Sequence, residues 1–409
     1  MLLVALFVFA SCSSVLASYP EETVTKATPL TIELLNVGTI TISNPPSTGM
    51  WYSINGGTLK EVTDEPIKAK TGARISLYAN GTENSYEKVA QEQWLNIDCS
   101  ADFYVYGNVM SLIDADNFEN LVEVPEYAFY GLFGHIPLIH KDTNTPYYNS
   151  HLHNHDSKEL FLPATTLADY CYYAMFDGCT SLTRAPELPA TTLANECYVG
   201  MFMFCTSLTQ APELHSTTLA VDCYASMFRG CTGLVQAPEL PATTLADFCY
   251  YSMFRDCTGL TQAPELPATT LADCCYEWMF QGCTSLTQAP ELPATTLAKS
   301  CYGGMFFDCT GLKQAPKLPT TTLANECYHE MFNNCASLSE APELPATTLA
   351  TSCYEYMFYG CSSLTKAPEL PATNLANNCY FGMFDGCTSL NVKFHKTGTN
   401  YRLVSPLNQ

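Results

Sequence analysis

The sequence repeats itself with a fixed step. Cysteine pairs recur at Cys171/Cys179, Cys197/Cys205, Cys223/Cys231, Cys249/Cys257, Cys275/Cys283, Cys301/Cys309, Cys327/Cys335, Cys353/Cys361 and Cys379/Cys387, each 26 residues after the last with no insertion. A period of this size means one supersecondary unit per copy, stacked so that neighbours bury what a single copy cannot. Function therefore has to be sought in columns, one position compared down successive copies.

The unit is Leu162–Glu187, LPATTLADYCYYAMFDGCTSLTRAPE. Leu167, Cys171, Met175 and Phe176 fall near helical spacing, which predicts a short helix over Thr166–Gly178 with Thr166 as its N-cap. Gly178, Gly230, Gly282, Gly360 and Gly386 sit where a left-handed C-cap residue is expected, with Asp256, Asp308 and Asn334 as tolerable substitutes and Phe204 as an exception. The other half, SLTRAPELPATT, reads as extended, because Pro186 and Pro189 exclude a helix and keep any parallel strand very short. Strands of neighbouring turns lie about 4.8 Å apart and packed helices about 8–10 Å, so the expected stack bends with helices outside and strands inside.

The run CTSL, then an extended segment, then a short MF helix resembles the bacterial surface leucine-rich repeats of the BspA type, in the variant CYxxMFxGCTSLxxAPELPATTLA. The likeness covers Leu162–His395. It implies an α+β fold, a right-handed leucine-rich-repeat solenoid with a short strand and a short helix per turn. It also implies a secreted or surface protein whose relatives act in adhesion and protein binding, with no catalytic residues in the repeats.

Charge narrows the partners. With 18 Lys and Arg against 40 Asp and Glu the formal net charge is −22, so nucleic acid and anionic membranes are poor partners, while cationic proteins and divalent cations fit. The 21 cysteines do not read as a disulfide framework. Cysteines at the two ends of such a helix would be about 12 Å apart, beyond the roughly 7 Å a disulfide spans, so the repeat cysteines are expected as buried free thiols. Neither C-x₂-C nor C-x₄-C occurs, and no cofactor is expected.

Before the repeats, residues 1–17 form an apolar run of signal-peptide length. Its FASC segment marks Cys12 as a candidate lipid anchor, with cleavage after Ala17 as the alternative. Residues 18–113 read as a small β-sandwich-like domain with strands at Leu30–Leu35, Gly38–Ser43, Met50–Ile54, Ala73–Ala79 and Phe103–Leu112. Asn44-Pro45-Pro46, Asn55-Gly56-Gly57 and Asn80-Gly81 break them as turns. A leader with a YSINGG hairpin and a DFYVYGNVMSLI exit is similar to one that accompanies this repeat type. Residues 114–161 read as degenerate capping turns. Leu121–Pro125 aligns with Leu182–Pro186, Tyr127–Phe133 echoes CYYAMF, and an insertion holds His135, His140, His151, His153 and His155. The last three would share a strand face at metal-ligand spacing, or simply decorate a polar loop. Nine repeats fill 162–395, and a short polar tail follows at 396–409, either a small cap or the point where a longer protein is cut.

Two columns are candidates for partner binding. Glu187, Glu213, Glu239, Glu265, Glu291, Glu343 and Glu369 recur at one position, interrupted by Lys317. Stacked at strand spacing each pair would repel by about 0.9 kcal/mol in water, so they either accept from the glutamines three residues earlier or splay into solvent. Positions two and three, counted with the last alanine of each LPATTLA segment as one, and the pairs after each CY and each MF, vary from copy to copy and are expected to face solvent; the pairs after CY include Tyr251, Trp278 and Tyr356. The resemblance thus implies a non-catalytic, cell-surface, protein-binding chain. The alternative is a divalent-metal- or glycan-binding accessory protein.

Overall fold

The computed structural model describes residues 23–134, 149–390, 393–397 and 400–404, the last two stretches as backbone only. Cys12, the expected signal segment, His135 and His140 lie outside the described residues.

Among the described residues ten strands precede the repeats. They are β1 (Thr31–Leu34), β2 (Gly38–Ser43), β3 (Met50–Ile54), β4 (Lys60–Glu61), β5 (Ile67–Ala69), β6 (Arg74–Ala79), β7 (Asn96–Cys99), β8 (Phe103–Asn108), β9 (Leu152–His153) and β10 (Leu160–Phe161). One sheet runs β10-β8-β1-β6-β3-β4, with β9 also paired to β8; a second runs β5-β2-β7. Their buried residues, among them Ile32, Ile75 and Phe103 of the first and Ile40, Ile67 and Ile97 of the second, belong to one core. The turn residues act as the sequence suggests: Asn55 and Gly56 both take positive φ and join β3 to β4.

The chain enters the repeats through β8. Both β9 and β10 pair with it in parallel, Leu152 beside Phe103 and Leu160 beside Gly107. The first turn of the stack is 122–134. Glu123 bridges Thr166, and the rings of Tyr127, Phe129, Tyr130 and Phe133 stack on Tyr170, Tyr172, Tyr173 and Phe176. The Tyr127–Phe133 echo therefore holds, but Leu121–Pro125 stands beside the ATTLA segment of the next turn rather than beside Leu182–Pro186.

The expected repeat helix is absent. Among the described residues the one α-helix, α1, is Tyr86–Ala90, outside the repeats. Residues 170–179 form instead a ribbon of consecutive turns with two alternating kinds of amide. Tyr172, Ala174, Phe176 and Gly178 donate their N–H groups to the carbonyls of Cys197, Val199, Met201 and Met203 in the next copy, at 2.8–3.0 Å. Tyr173, Met175, Asp177 and Cys179 donate back three residues within their own copy. Every fourth residue is left-handed: Tyr170 at φ 59°, Ala174 at 49° and Gly178 at 73°. The pattern holds down the stack, so the expected left-handed residues are real but close turns, not helices. Phe204 complies as well, at φ 56°. Thr166 is no N-cap; it bridges Glu123 and Thr192.

The period explains the outcome. Cys171, Met175 and Cys179 are four apart without drift, and the pairs Cys171-Tyr172 and Met175-Phe176 are buried at the same step of four. An α-helix drifts at 3.6 residues per turn and satisfies its amides internally. This ribbon leaves half its amides for a neighbour, so an isolated copy would carry unpaired backbone donors. Because neighbouring ribbons bond directly, the helix-to-strand spacing mismatch expected to bend the stack does not exist.

On the extended half the copies meet at single parallel bridges in two columns, for example Thr166 with Thr192 and Gln236 with Gln262. The prolines confine pairing to one residue at a time. Between ribbon and bridges lies the core. Tyr172 to Tyr380 stack at ring separations of 5.7–5.9 Å, and Phe176 to Phe384 at 5.5–5.8 Å. The cysteines are free and buried. The second of each pair also donates its S–H to a phenylalanine carbonyl one copy back, as in Cys231 to Phe202 at 3.0 Å and Cys309 to Phe280 at 2.9 Å.

A candidate partner surface on the turn ribbon

The variable positions are less free than the sequence suggests. Those opening each ribbon hold Asp169, Asn195, Asp247, Asp273 and Asn325, and each of these side chains accepts the backbone N–H of the same position one copy on, at 2.9–3.2 Å. Asp and Asn suit the place because their short side chains reach a neighbouring backbone.

The next constraint is size. Trp278 and Tyr356 share a column with Gly304 and Gly382, which follow them one copy later. A methyl on Gly304 would collide with the indole of Trp278, one on Gly382 with the ring of Tyr356, and one on Gly230 with Phe204. Each large ring thus lies flat across a glycine of the next turn. The aromatics are half-buried for this reason, with their outer faces available.

They also recruit one another. Trp278 meets Phe307 edge-on at 5.5 Å, Tyr356 meets Tyr359 at 5.8 Å and Phe381 at 5.2 Å, and Tyr251 meets Phe248 at 5.9 Å. Phe248, Phe307 and Tyr359 were not singled out from the sequence. Phe307 and Tyr359 lie in the variable pair after MF, one turn of the ribbon from the pair after CY, whereas Phe248 directly precedes the CY of its copy.

Carboxylates surround these rings. Burial, followed by the charges of Glu355, Asp385 and Glu330, raises the Tyr356 hydroxyl above its usual range. Glu277, next to Trp278, is raised by burial, while a hydrogen bond from Cys274 and the proximity of His329 lower it. The surface therefore offers aromatic faces edged by negative charge, the combination that attracts a guanidinium or ammonium group.

The glutamate column lies elsewhere. Glu187, Glu213, Glu239, Glu265 and Glu291 are exposed on the APELP segments. Shallow grooves between those segments contain Glu239, Glu265 and Glu291 with prolines, and none of the aromatics. Of the glutamines expected to support them, Gln288 bonds along its own column instead, to Gln314 at 3.4 Å.

Three histidines of the insertion are described, and two of them face Asp102. His151 Nδ1 is 2.8 Å from Asp102 Oδ1 and His153 Nε2 is 3.6 Å from the same atom, while His155 lies edge-on to Tyr104 at 4.8 Å. No group of three His, Cys, Asp or Glu among the described residues is arranged to hold a metal.

Compared with known proteins, residues 275–402 match the model of the BspA type leucine rich repeat region, in six copies. No curated protein and no solved structure matches the chain. With the period, the stacked copies and this match together, the chain carries a BspA-type leucine-rich repeat region.

Proposed function

We propose that the chain is a secreted, cell-surface protein whose repeats form a right-handed solenoid that binds other proteins through the turn ribbon and carries out no catalysis. Leucine-rich repeats commonly mediate protein–protein contacts, and the observation that carries this reading is the pair of aromatic clusters on the ribbon, Trp278 with Phe307 beside Glu277, and Tyr356 with Tyr359 and Phe381 beside Glu330 and Glu355. On a chain of net charge −22, such a surface selects a basic partner, with aromatic anchors supplying most of the affinity. The sheets before the repeats serve as a spacer and cover for the first turn, and Cys12 is the proposed lipid anchor, which labelled palmitate incorporation with and without Cys12→Ala would test.

The binding test uses the full chain with an arginine-rich peptide and an acidic peptide of equal length. The basic peptide binds, more weakly as salt is raised, and Trp278→Ala with Tyr356→Ala weakens it at least tenfold. Equal binding of both peptides, or no effect of the double variant, overturns the reading.

A further inference from the structure

Where the first full copy meets the preceding sheet, the described residues supply only part of a preceding neighbour. Asn149–Asn154 takes the place of a preceding copy for the CTSLTR segment. Asn149 O accepts the N–H of Thr180, Ser150 O accepts the Ser181 hydroxyl, and Asn154 Oδ1 accepts the amides of Thr183 and Arg184 at 2.8 and 2.9 Å. The chain then turns away into β10, which pairs with β8. Among the described residues nothing takes the place of a preceding APELP segment, and a cavity of about 240 Å³ lies beside Ala185–Pro189.

Its lining is of two kinds. The floor is apolar and reaches the core through Val105, Leu162, Phe176 and Leu182. The rim carries Lys26 and Arg184 opposite in sign to Glu159 and Glu187, all four exposed. Lys158 in the wall is already committed, its ammonium 2.7 Å from Glu33 Oε2, so the rim is balanced with two charges of each sign. Arg184 is particular to this copy, since Gln210, Gln236, Gln262, Gln288 and Gln314 follow it in the column. Clefts for drug-sized ligands run from about 300 to 1,000 Å³, so this one admits a single residue-sized group.

An apolar floor under a rim of paired opposite charges matches one ligand chemistry, an apolar side chain on a backbone that bears its own charges. We propose that this cavity binds one apolar amino-acid residue, side chain inward, with its carboxylate toward Lys26 and Arg184 and its amino or amide group toward Glu159 and Glu187. This goes beyond binding at the turn ribbon and does not depend on it.

Calorimetry of the full chain with leucine, glycine and the dipeptide glycyl-leucine tests it. Leucine or glycyl-leucine binds and glycine does not; a preference for the dipeptide assigns a peptide C-terminus, a preference for leucine the free amino acid. Arg184→Glu, and separately Ala185→Trp, weaken binding at least tenfold with an unchanged melting temperature. No heat with any of the three, glycine equal to leucine, or affinity unchanged in both variants would overturn the proposal.

Discussion

The indole of Trp278 lies across Gly304 of the following copy, so closely that a methyl group there would overlap the ring. Large residues in this column are followed by glycine, as Tyr356 is by Gly382. The Gly304→Ala variant should lose about 1–3 kcal/mol by overpacking, with added strain from its φ of 55°. Trp278→Ala should relieve the overlap, so a double-mutant cycle in urea should give a coupling of roughly 1 kcal/mol or more. Additive losses would mean that the ring does not rest on the glycine.

The repeat thiols should be silent until the protein unfolds. Burial pushes Cys249 and Cys257 up to about 12, and the other buried thiols move the same way. A thiolate reagent at mildly alkaline pH should label the repeat cysteines at the global opening rate. Rapid stoichiometric labelling of the native chain would contradict the packed core.

The turn ribbon makes a spectroscopic statement. Circular dichroism should lack the paired minima of α-helix. In hydrogen exchange, the amides of Tyr250, Ser252 and Phe254, which donate to the next copy, should be protected as strand amides are. A helical spectrum would restore the geometry that the sequence suggested.

Asp177 introduces a pH dependence. Its side chain is 1% exposed with one oxygen unpartnered, and burial, partly offset by Arg229, raises its pKa from 3.8 to about 8. Between those values the folded state keeps a proton that the unfolded chain has lost, so this contribution to stability is full below about pH 4 and falls as pH rises through about 8. Asp177→Asn should flatten that slope, read as urea midpoints near pH 5 and pH 8. Parallel slopes in the two proteins would rule out a buried acid there.

Asn154 should matter more than an exposed loop residue usually does. It accepts from Thr183 and Arg184 and donates to Arg184 O at 2.9 Å, closing the edge of the first copy. The Asn154→Ala change should cost about 1–2 kcal/mol. A neutral effect would show that the copy holds its own edge.

Much of this was legible in the residues. Strands β2 and β3 match their expected limits, and the left-handed positions at Gly178, Asp256, Asp308 and Asn334 were marked by residues that tolerate that conformation. The helix was misread because Leu167, Cys171, Met175 and Phe176 satisfy a helical template over so short a window. The discriminating fact was that Cys171, Met175 and Cys179 are spaced at four with no drift. The aromatic surface was half legible: variability marked Trp278 and Tyr356, but only the next copy's glycine reveals why each ring fits there.

The alternation of amides along the ribbon has an electrical consequence. In each of the first eight full copies five peptide groups point N–H toward the following copy and C=O toward the preceding one, as those of Tyr170, Tyr172, Ala174, Phe176 and Gly178 do, in files that end on the carbonyls of Asn377, Cys379, Phe381, Met383 and Asp385. Their dipoles add head to tail as they do along a helix, leaving partial positive charge at the last copy and partial negative charge at the first. Each added copy moves those poles farther apart without strengthening them. The ribbon therefore has a built-in electrostatic direction, opposed only in part by the extended half, where Thr209 and Thr261 donate to the preceding copy.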